Sequence, residues 1–181
     1  MGTVYFTGKG DDGTTGILAS KRVSKSDRLI GAIGSIDELN SYIGVAMTYI
    51  SDGLVNARLA VIQNDLFVIG ANLAAANEKK IDKAQIKSSA VEGLEKAISE
   101  LGGKTPPLKS FVLPGGDQGA AHLHMARAVA RRAERCIIEA AAEYKVDRDV
   151  IAYLNRLSSY LFAAAVYVNH SKGVVESHPT Y

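Results

Sequence analysis

Apolar side chains recur every three or four positions along most of this chain, and the recurrence begins only after residue 33. In "SIDELNSYIGVAMTYI", Ile36, Leu39, Ile43, Ala46, Met47 and Ile50 fall on one side of a helix, with Asp37, Asn40, Ser41 and Gly44 on the other. Ser35 stands three residues before Glu38, a capping-box spacing that predicts the start of this first helix. After an Asp52-Gly53 turn, residues 54–76 contain no proline and keep Leu59, Ile62, Leu66, Ile69 and Leu73 in helical register. A polar Asn77-Glu78-Lys79-Lys80 break precedes Asp82, whose acceptor side chain suits the cap of a third helix ending near Leu101 and Gly102-Gly103.

The stretch "GGKTPPLKS" reads as loop, and a Pro-Gly-Gly break then leads into a fourth helix from about Gly119 to Tyr144. A fifth runs from about Asp147 to His170, with Ile151, Leu154, Leu157, Leu161 and Ala165 on its inner stripe. Five helices with short connections and no strand alternation predict an all-α fold, a five-helix bundle. The first 33 residues lack a helical period and read as an irregular Gly/Thr-rich arm. The chain is expected to be one domain over residues 1–181: arm 1–33, bundle 34–170, tail 171–181.

The fourth helix changes the picture from architecture to chemistry. At about 100° per residue, Met125, Ala126, Val129, Ala130, Ala133, Cys136 and Ile137 share one side, while His124, Arg127, Arg131, Glu134 and Arg135 share the other and Arg132 lies at the edge. A solvated face normally mixes in lysine. Here every basic residue of the helix other than histidine is arginine, although the chain holds 21 lysines and arginines in all. Arginine's planar fork suits bidentate contact with carboxylate or phosphate, so Arg127 and Arg131, one turn apart, read as a polyphosphate clamp or a subunit-interface ion pair.

Against these 21 basic groups stand 19 acidic ones, a formal net charge of +2, too balanced for a protein that lives on a nucleic-acid backbone. Any anion site is therefore local. The single cysteine, Cys136, excludes an intramolecular disulfide and falls on the apolar side of its helix. No leader-like segment and no apolar run near the roughly 20 residues of a bilayer span is evident, which leads to the expectation of a soluble, cytoplasmic protein without a membrane role. His122 and His124 are two positions apart and point in different directions on a helix, so no metal site is predicted.

The arm supplies a complement to the arginines. "TGKGDDGTTG" offers glycines that let backbone approach an anion, Thr7, Thr14 and Thr15 as hydroxyl donors, and Lys9 as a mobile charge. It is not a Walker A sequence.

Four segments, "YFTGKGDDGTTG", "RVSKSDRLIGAIGSIDELNSYIG", "FVLPGGDQGAAHLHMARAVARRAER" and "YLNRLSSYLF", resemble in order the PduO-type ATP:cob(I)alamin adenosyltransferases, or corrinoid adenosyltransferases. The resemblance implies a homotrimer of five-helix bundles with active sites between adjacent subunits. It implies ATP as a substrate, with Mg²⁺ arriving on the phosphates, and cob(I)alamin as co-substrate. Thr7, Gly8, Lys9, Gly10, Asp11, Thr14 and Thr15 resemble the phosphate-binding arm, with Lys25 a further phosphate contact. Arg131 matches the polyphosphate arginine, Asn155 the asparagine on the nucleoside, and Glu134 an active-site glutamate that also contacts ATP. Arg127 and Asp37 match a salt bridge joining neighbouring subunits, and Phe111 the aromatic beside the corrin. Two departures stand out: Gly8-Lys9 where the family often has Lys/Arg-Thr, and Arg28 one place earlier than the usual arginine, so Arg28 receives no role.

The implied reaction moves the 5′-deoxyadenosyl group of ATP onto cobalt: Co(I) attacks C5′ and triphosphate leaves. Such a step needs alignment, exclusion of water and charge stabilisation on the leaving group, and no general base. A reductase supplying Co(I) and a B12-dependent enzyme downstream are the protein partners it implies. The rival reading is a non-catalytic ATP-sensing or interaction bundle that keeps the pocket and does no chemistry. An RNA-binding role for the arginine face has less support, because no aromatic residues interleave with it.

Overall fold

The computed structural model describes residues 5–18, 21–75 and 85–180. Within them a two-stranded hairpin, β1 (Thr14–Gly16) and β2 (Arg22–Ser24), precedes α1 (Arg28–Tyr49), α2 (Gly53–Ala74), α3 (Ser88–Gly102), α4 (Gln118–Ala140) and α5 (Arg148–Ser171). The five-helix bundle is as the apolar periods predict.

Aspartates start four of the five helices. Asp27, Asp52, Asp117 and Asp147 each take a backbone N–H of the first turn on a side-chain oxygen, from Leu29, Val55, Gly119 and Asp149. Such a carboxylate satisfies one of the donors a helix start leaves free and lies favourably in the helix dipole.

The packing order follows from which faces are apolar. α1 lies against α2 and α4, α4 against α5, and α5 against α3. Leu39 and Ile43 of α1, Leu59, Ile62, Leu66 and Ile69 of α2, Leu123 and Ile137 of α4, and Leu154 and Leu161 of α5 are fully buried in one core. Burial of such a side chain contributes about 1.5–3 kcal/mol, so this stripe structure, more than helix propensity, fixes the bundle.

Four expectations need correction. The first helix begins at Arg28 and not at Ser35: Ser35 is buried within it and its hydroxyl donates to the carbonyl of Ala32 at 2.8 Å. Burial of Leu29 and Ala32 overrides the weak helix propensity of Gly31 and Gly34, so the arm ends at Asp27. Asn40, read as surface, is buried between α1 and α2 and donates to the carbonyl of Gln63 at 3.3 Å. The third helix starts at Ser88 with Lys87 before it and no side-chain cap bond, while Asp82 lies outside the described residues. Finally, α2 is long and apolar enough by length and composition to cross a membrane, contrary to the expectation that no such run exists. Its inner residues belong to the core of the bundle.

The hairpin was missed because its strands are three residues each, too short to show alternation. Thr14 faces Ser24, Thr15 faces Val23 and Gly16 faces Arg22. In the connection between the two strands Leu18 donates its amide to the carbonyl of Ala74, tying the arm to the end of α2.

Candidate active site

α4 is held between α1 and α5, both running opposite to it. At one end Arg28 pairs with Glu143 at 2.9 Å and the Tyr144 hydroxyl donates to Asp27 at 2.8 Å. At the other, the rings of Tyr49 and His122 stack with centroids 4.7 Å apart. Arg28, which received no role from the sequence, thus joins the start of α1 to the end of α4.

Between these ends the polar side of α4 is wired to its neighbours. Arg132 pairs with Glu38 of α1. Asn155 of α5 donates from Nδ2 to Glu134 Oε1 at 3.1 Å and accepts on Oδ1 from Arg156 at 2.7 Å. Arg156 in turn donates through Nε to Glu95 of α3 at 2.7 Å. Glu134 and Asn155, separated by 21 positions in sequence, therefore present their side chains together.

Arg127 and Arg131 are treated differently. They line a groove of about 340 Å³ with Ile98, Ser158, Phe162 and Ala163. Among the described residues neither guanidinium has a carboxylate partner, and Nε of Arg127 is buried with no acceptor at all. Two forks one turn apart without counter-charge make a site for an anion that comes from elsewhere.

His124 was read on this polar side, and the structure places it inside: it is 3% exposed, edge-on to Phe162, with both ring nitrogens unpartnered. Burial, reinforced by the charge of Arg127, pushes its pKa down and keeps the imidazole neutral. Met125, read as apolar-side, is 49% exposed instead. Because α4 is gripped by α1 on one side and α5 on the other, its buried sector is wider than one stripe and turns toward residue 124. Cys136 is partly buried and packs against the core, as its position predicts.

The arm is built of consecutive turns. Asp11 donates to the carbonyl of Gly8 and Gly13 to that of Gly10, both at 3.2 Å, and Gly8 and Gly13 have φ of +67° and +80°, conformations that favour glycine. Lys25 donates its amide to the carbonyl of Gly13 at 2.9 Å. Its ammonium comes so close to Gly10 that a Cβ there would lie 3.2 Å from Nζ. Thr7, Gly8, Lys9, Gly10, Asp11 and Lys25 are thus brought together at one exposed turn cluster.

Sequence reasoning overlooked what holds that cluster. Arg22 donates from Nε to the Thr14 hydroxyl at 2.9 Å and reaches the carbonyl of Lys9 and the carboxylate of Asp12. Asp12 also accepts the Thr14 amide and hydroxyl, and these bonds hold its pKa below the usual carboxylate value. Only the hairpin register, which puts Arg22 across from the end of β1, would have revealed the pairing.

Phe111, which composition alone would place in the core, stands 78% exposed on the loop before α4. Beneath it Asn169, fully buried, donates to the carbonyl of Gly115 at 3.1 Å and accepts the amide of Asp117 at 2.9 Å. Gly116 has φ +99°, and a Cβ there would sit 2.2 Å from the Asn169 carboxamide, so the Pro-Gly-Gly turn requires glycine at this position.

The site residues fall at three levels along α4. The arm's last residue, Asp27, meets Tyr144 just past the end of α4, and Phe111 precedes the start at Gln118. Arg131 lies nine residues before the end of α4 at Ala140, about 13 Å along the helix axis. Asp37 is exposed and, among the described residues, makes no ion pair with Arg127 or any other group of its own chain.

Comparison with known proteins accords with this geometry. The cobalamin adenosyltransferase family matches residues 5–168. The corrinoid adenosyltransferase of Bacillus subtilis is 40% identical over 93% of this chain and 88% of its own length. The cobalamin adenosyltransferase of Cupriavidus metallidurans is 39% identical over 92% of this chain and 89% of its own. A phenylalanine-to-alanine variant of the PduO-type ATP:corrinoid adenosyltransferase from Lactobacillus reuteri, complexed with cobalamin and ATP, superposes with a TM-score of 0.91 at 34% identity, covering 97% of this chain and 99% of that one. A family match over most of the chain, together with relatives this similar across nearly their whole length, makes the chain a member of the cobalamin adenosyltransferase family.

Proposed function

We propose that this protein transfers the 5′-deoxyadenosyl group of ATP to the Co(I) of a reduced corrinoid, forming adenosylcobalamin and releasing triphosphate. The observation that carries the reading is the uncompensated pair Arg127 and Arg131 on a groove of α3, α4 and α5, with the bonded Glu134 and Asn155 each three residues from a lining residue, Arg131 and Ser158. Co(I) supplies the electron pair for the new Co–C5′ bond, and the C5′–O bond electrons leave with the triphosphate. What the protein adds is charge placed where charge develops. Arg131 meets the polyphosphate, Asn155 and Glu134 hold the nucleoside, and the turn cluster from Thr7 to Thr15 with Lys25 wraps the phosphates. Mg²⁺ arrives on the phosphate oxygens. Phe111 presents an apolar ring beside cobalt, where it excludes a lower axial ligand and eases reduction of Co(II).

The working unit in this reading is a homotrimer whose sites lie between subunits. The arm joins the bundle at Asp27, beside Tyr144 just past the end of α4, whereas Arg131 lies nine residues back from Ala140, about 13 Å along the helix axis. An arm from one subunit over α4 of its neighbour removes the gap. The same arrangement gives exposed Asp37 and Arg127, whose Nε is buried without an acceptor, their partners, each on the other subunit. The cytoplasm, with a reductase to deliver Co(I), is the setting that fits this chemistry.

An anaerobic mixture of the protein, chemically reduced cobalamin and MgATP tests the reading. Loss of the Co(I) spectrum with stoichiometric triphosphate and adenosylcobalamin is the expected result. ATP binding without either product would instead favour a nucleotide-sensing bundle.

A further inference from the structure

The C-terminal segment beyond α5 does not trail away from the bundle. It turns at Gly173, where φ is +69°, and comes back beside the loop that carries Phe111. Leu113 donates its amide to the carbonyl of Ser177 at 2.7 Å. Nδ1 of His178 lies 2.8 Å from the carbonyl oxygen of Phe111 and 2.9 Å from the Ser110 hydroxyl. A carbonyl can only accept, so the ring donates from Nδ1 to Phe111. Among the described residues, every hydrogen bond made between Ser110 and Leu113 goes to this tail.

The tail is itself anchored. Asn169, which fixes the turn at Gly115 and Asp117, also donates to Glu176 at 3.1 Å, and Val174 donates to the Asn169 carbonyl at 2.9 Å. One buried carboxamide thus ties the loop before α4 and the strap after α5 to the same point. Phe111 stands outward from this frame with little of its ring packed on its own chain.

We propose that His178 is a positioning residue that sets where the Phe111 ring stands. The proposal rests on the reading of Phe111 as the residue beside the corrin. A ring that must cover one face of cobalt works only if its backbone is held, and in this loop, which has no helix or strand, the bond to the Phe111 carbonyl comes from His178. His178 does so through a single donated bond, which an asparagine amide can supply from nearly the same place and an alanine cannot.

The test compares the intact protein with His178→Ala, His178→Asn and Phe111→Ala. It measures KM for cob(I)alamin, KM for ATP, and the spectroscopic signature of four-coordinate cob(II)alamin in the presence of MgATP. His178→Ala should raise the corrinoid KM about five-fold or more and weaken the four-coordinate signal, with KM for ATP unchanged and His178→Asn largely restored. Unaltered corrinoid KM and signal in His178→Ala, beside a defective Phe111→Ala, overturns the proposal alone. An unaltered Phe111→Ala overturns the reading of Phe111 and the proposal together. A matching thermal midpoint for His178→Ala and the parent separates positioning from loss of fold.

Discussion

Asn155 donates to Glu134 across the α4–α5 seam at 3.1 Å and is held on its other side by Arg156 at 2.7 Å, so its carboxamide is oriented before any nucleoside arrives. Asn155 is exposed and sits a full two turns past the Asp147 cap, which leaves it no part in starting the helix. Asn155→Ala should raise KM for ATP while keeping stability within about 1 kcal/mol. Steady-state kinetics at varied ATP, paired with a denaturant melt, decide this; an unchanged KM counts against the nucleoside contact.

Arg131 is a sharper case because charge and geometry can be separated there. Lysine keeps the positive charge and loses the fork. Arg131→Lys should lower kcat/KM by an order of magnitude or more, as a few kcal/mol per transition-state contact implies. Near-parental kcat/KM in that variant would remove Arg131 from the triphosphate.

Among the described residues Asp37 and Arg127 have no ion-pair partner in their own chain, and an ion pair across the interface would supply both. Exposed pairs contribute about 0–1 kcal/mol, whereas stranding one member of a desolvated pair costs about 3–5. Asp37→Asn and Arg127→Ala should each impair activity strongly, and the charge swap of Asp37→Arg with Arg127→Asp should recover assembly relative to either half alone. Sedimentation at assay concentration reads the assembly; a fully active monomer contradicts the paired role.

His124 is expected to weaken the fold on the acid side. The unfolded chain takes up this proton near the ordinary histidine value of 6.5, but the folded chain, with the ring buried beside Arg127, takes it up only at lower pH. Between the two the unfolded state binds more protons, so stability falls as pH drops below about 6.5 and on through the folded pKa. His124→Leu, close in size and unable to titrate, should flatten that limb of the stability curve. Urea melts from pH 8 to 5 measure it, and parallel curves for the two proteins would show that another group is responsible.

The sequence carried the bundle because burial imposes a period. Leu59, Ile62, Leu66 and Ile69 recur at helical spacing and all are fully buried. It carried less wherever a partner from a distant segment decides the outcome. His124 faces inward because α4 is gripped on two sides, which a single helical wheel does not represent. The early start of α1 follows from burial of Leu29, and a serine three positions before a glutamate mimicked a cap inside the helix. The arm residues take their proposed roles from resemblance, while Arg22, Asp12, Asn169 and His178, which hold the arm and the Phe111 loop in place, carry no local pattern. Positioning residues speak only through the partners they reach in three dimensions.

The claim that one subunit's arm serves its neighbour's arginine is tested most directly by complementation. Lys25→Ala and Arg131→Ala are each inactive in this account, the first in the arm and the second in the groove. Mixed trimers formed by co-expression at equal amounts should regain about a quarter of the parental adenosylcobalamin formation, because that share of interfaces joins an intact arm to an intact Arg131. Recovery near that level, with mixed assembly verified by differential tags, is the predicted result. Verified mixed trimers with no activity above either parent variant would place arm and arginine in one chain and contradict the shared site.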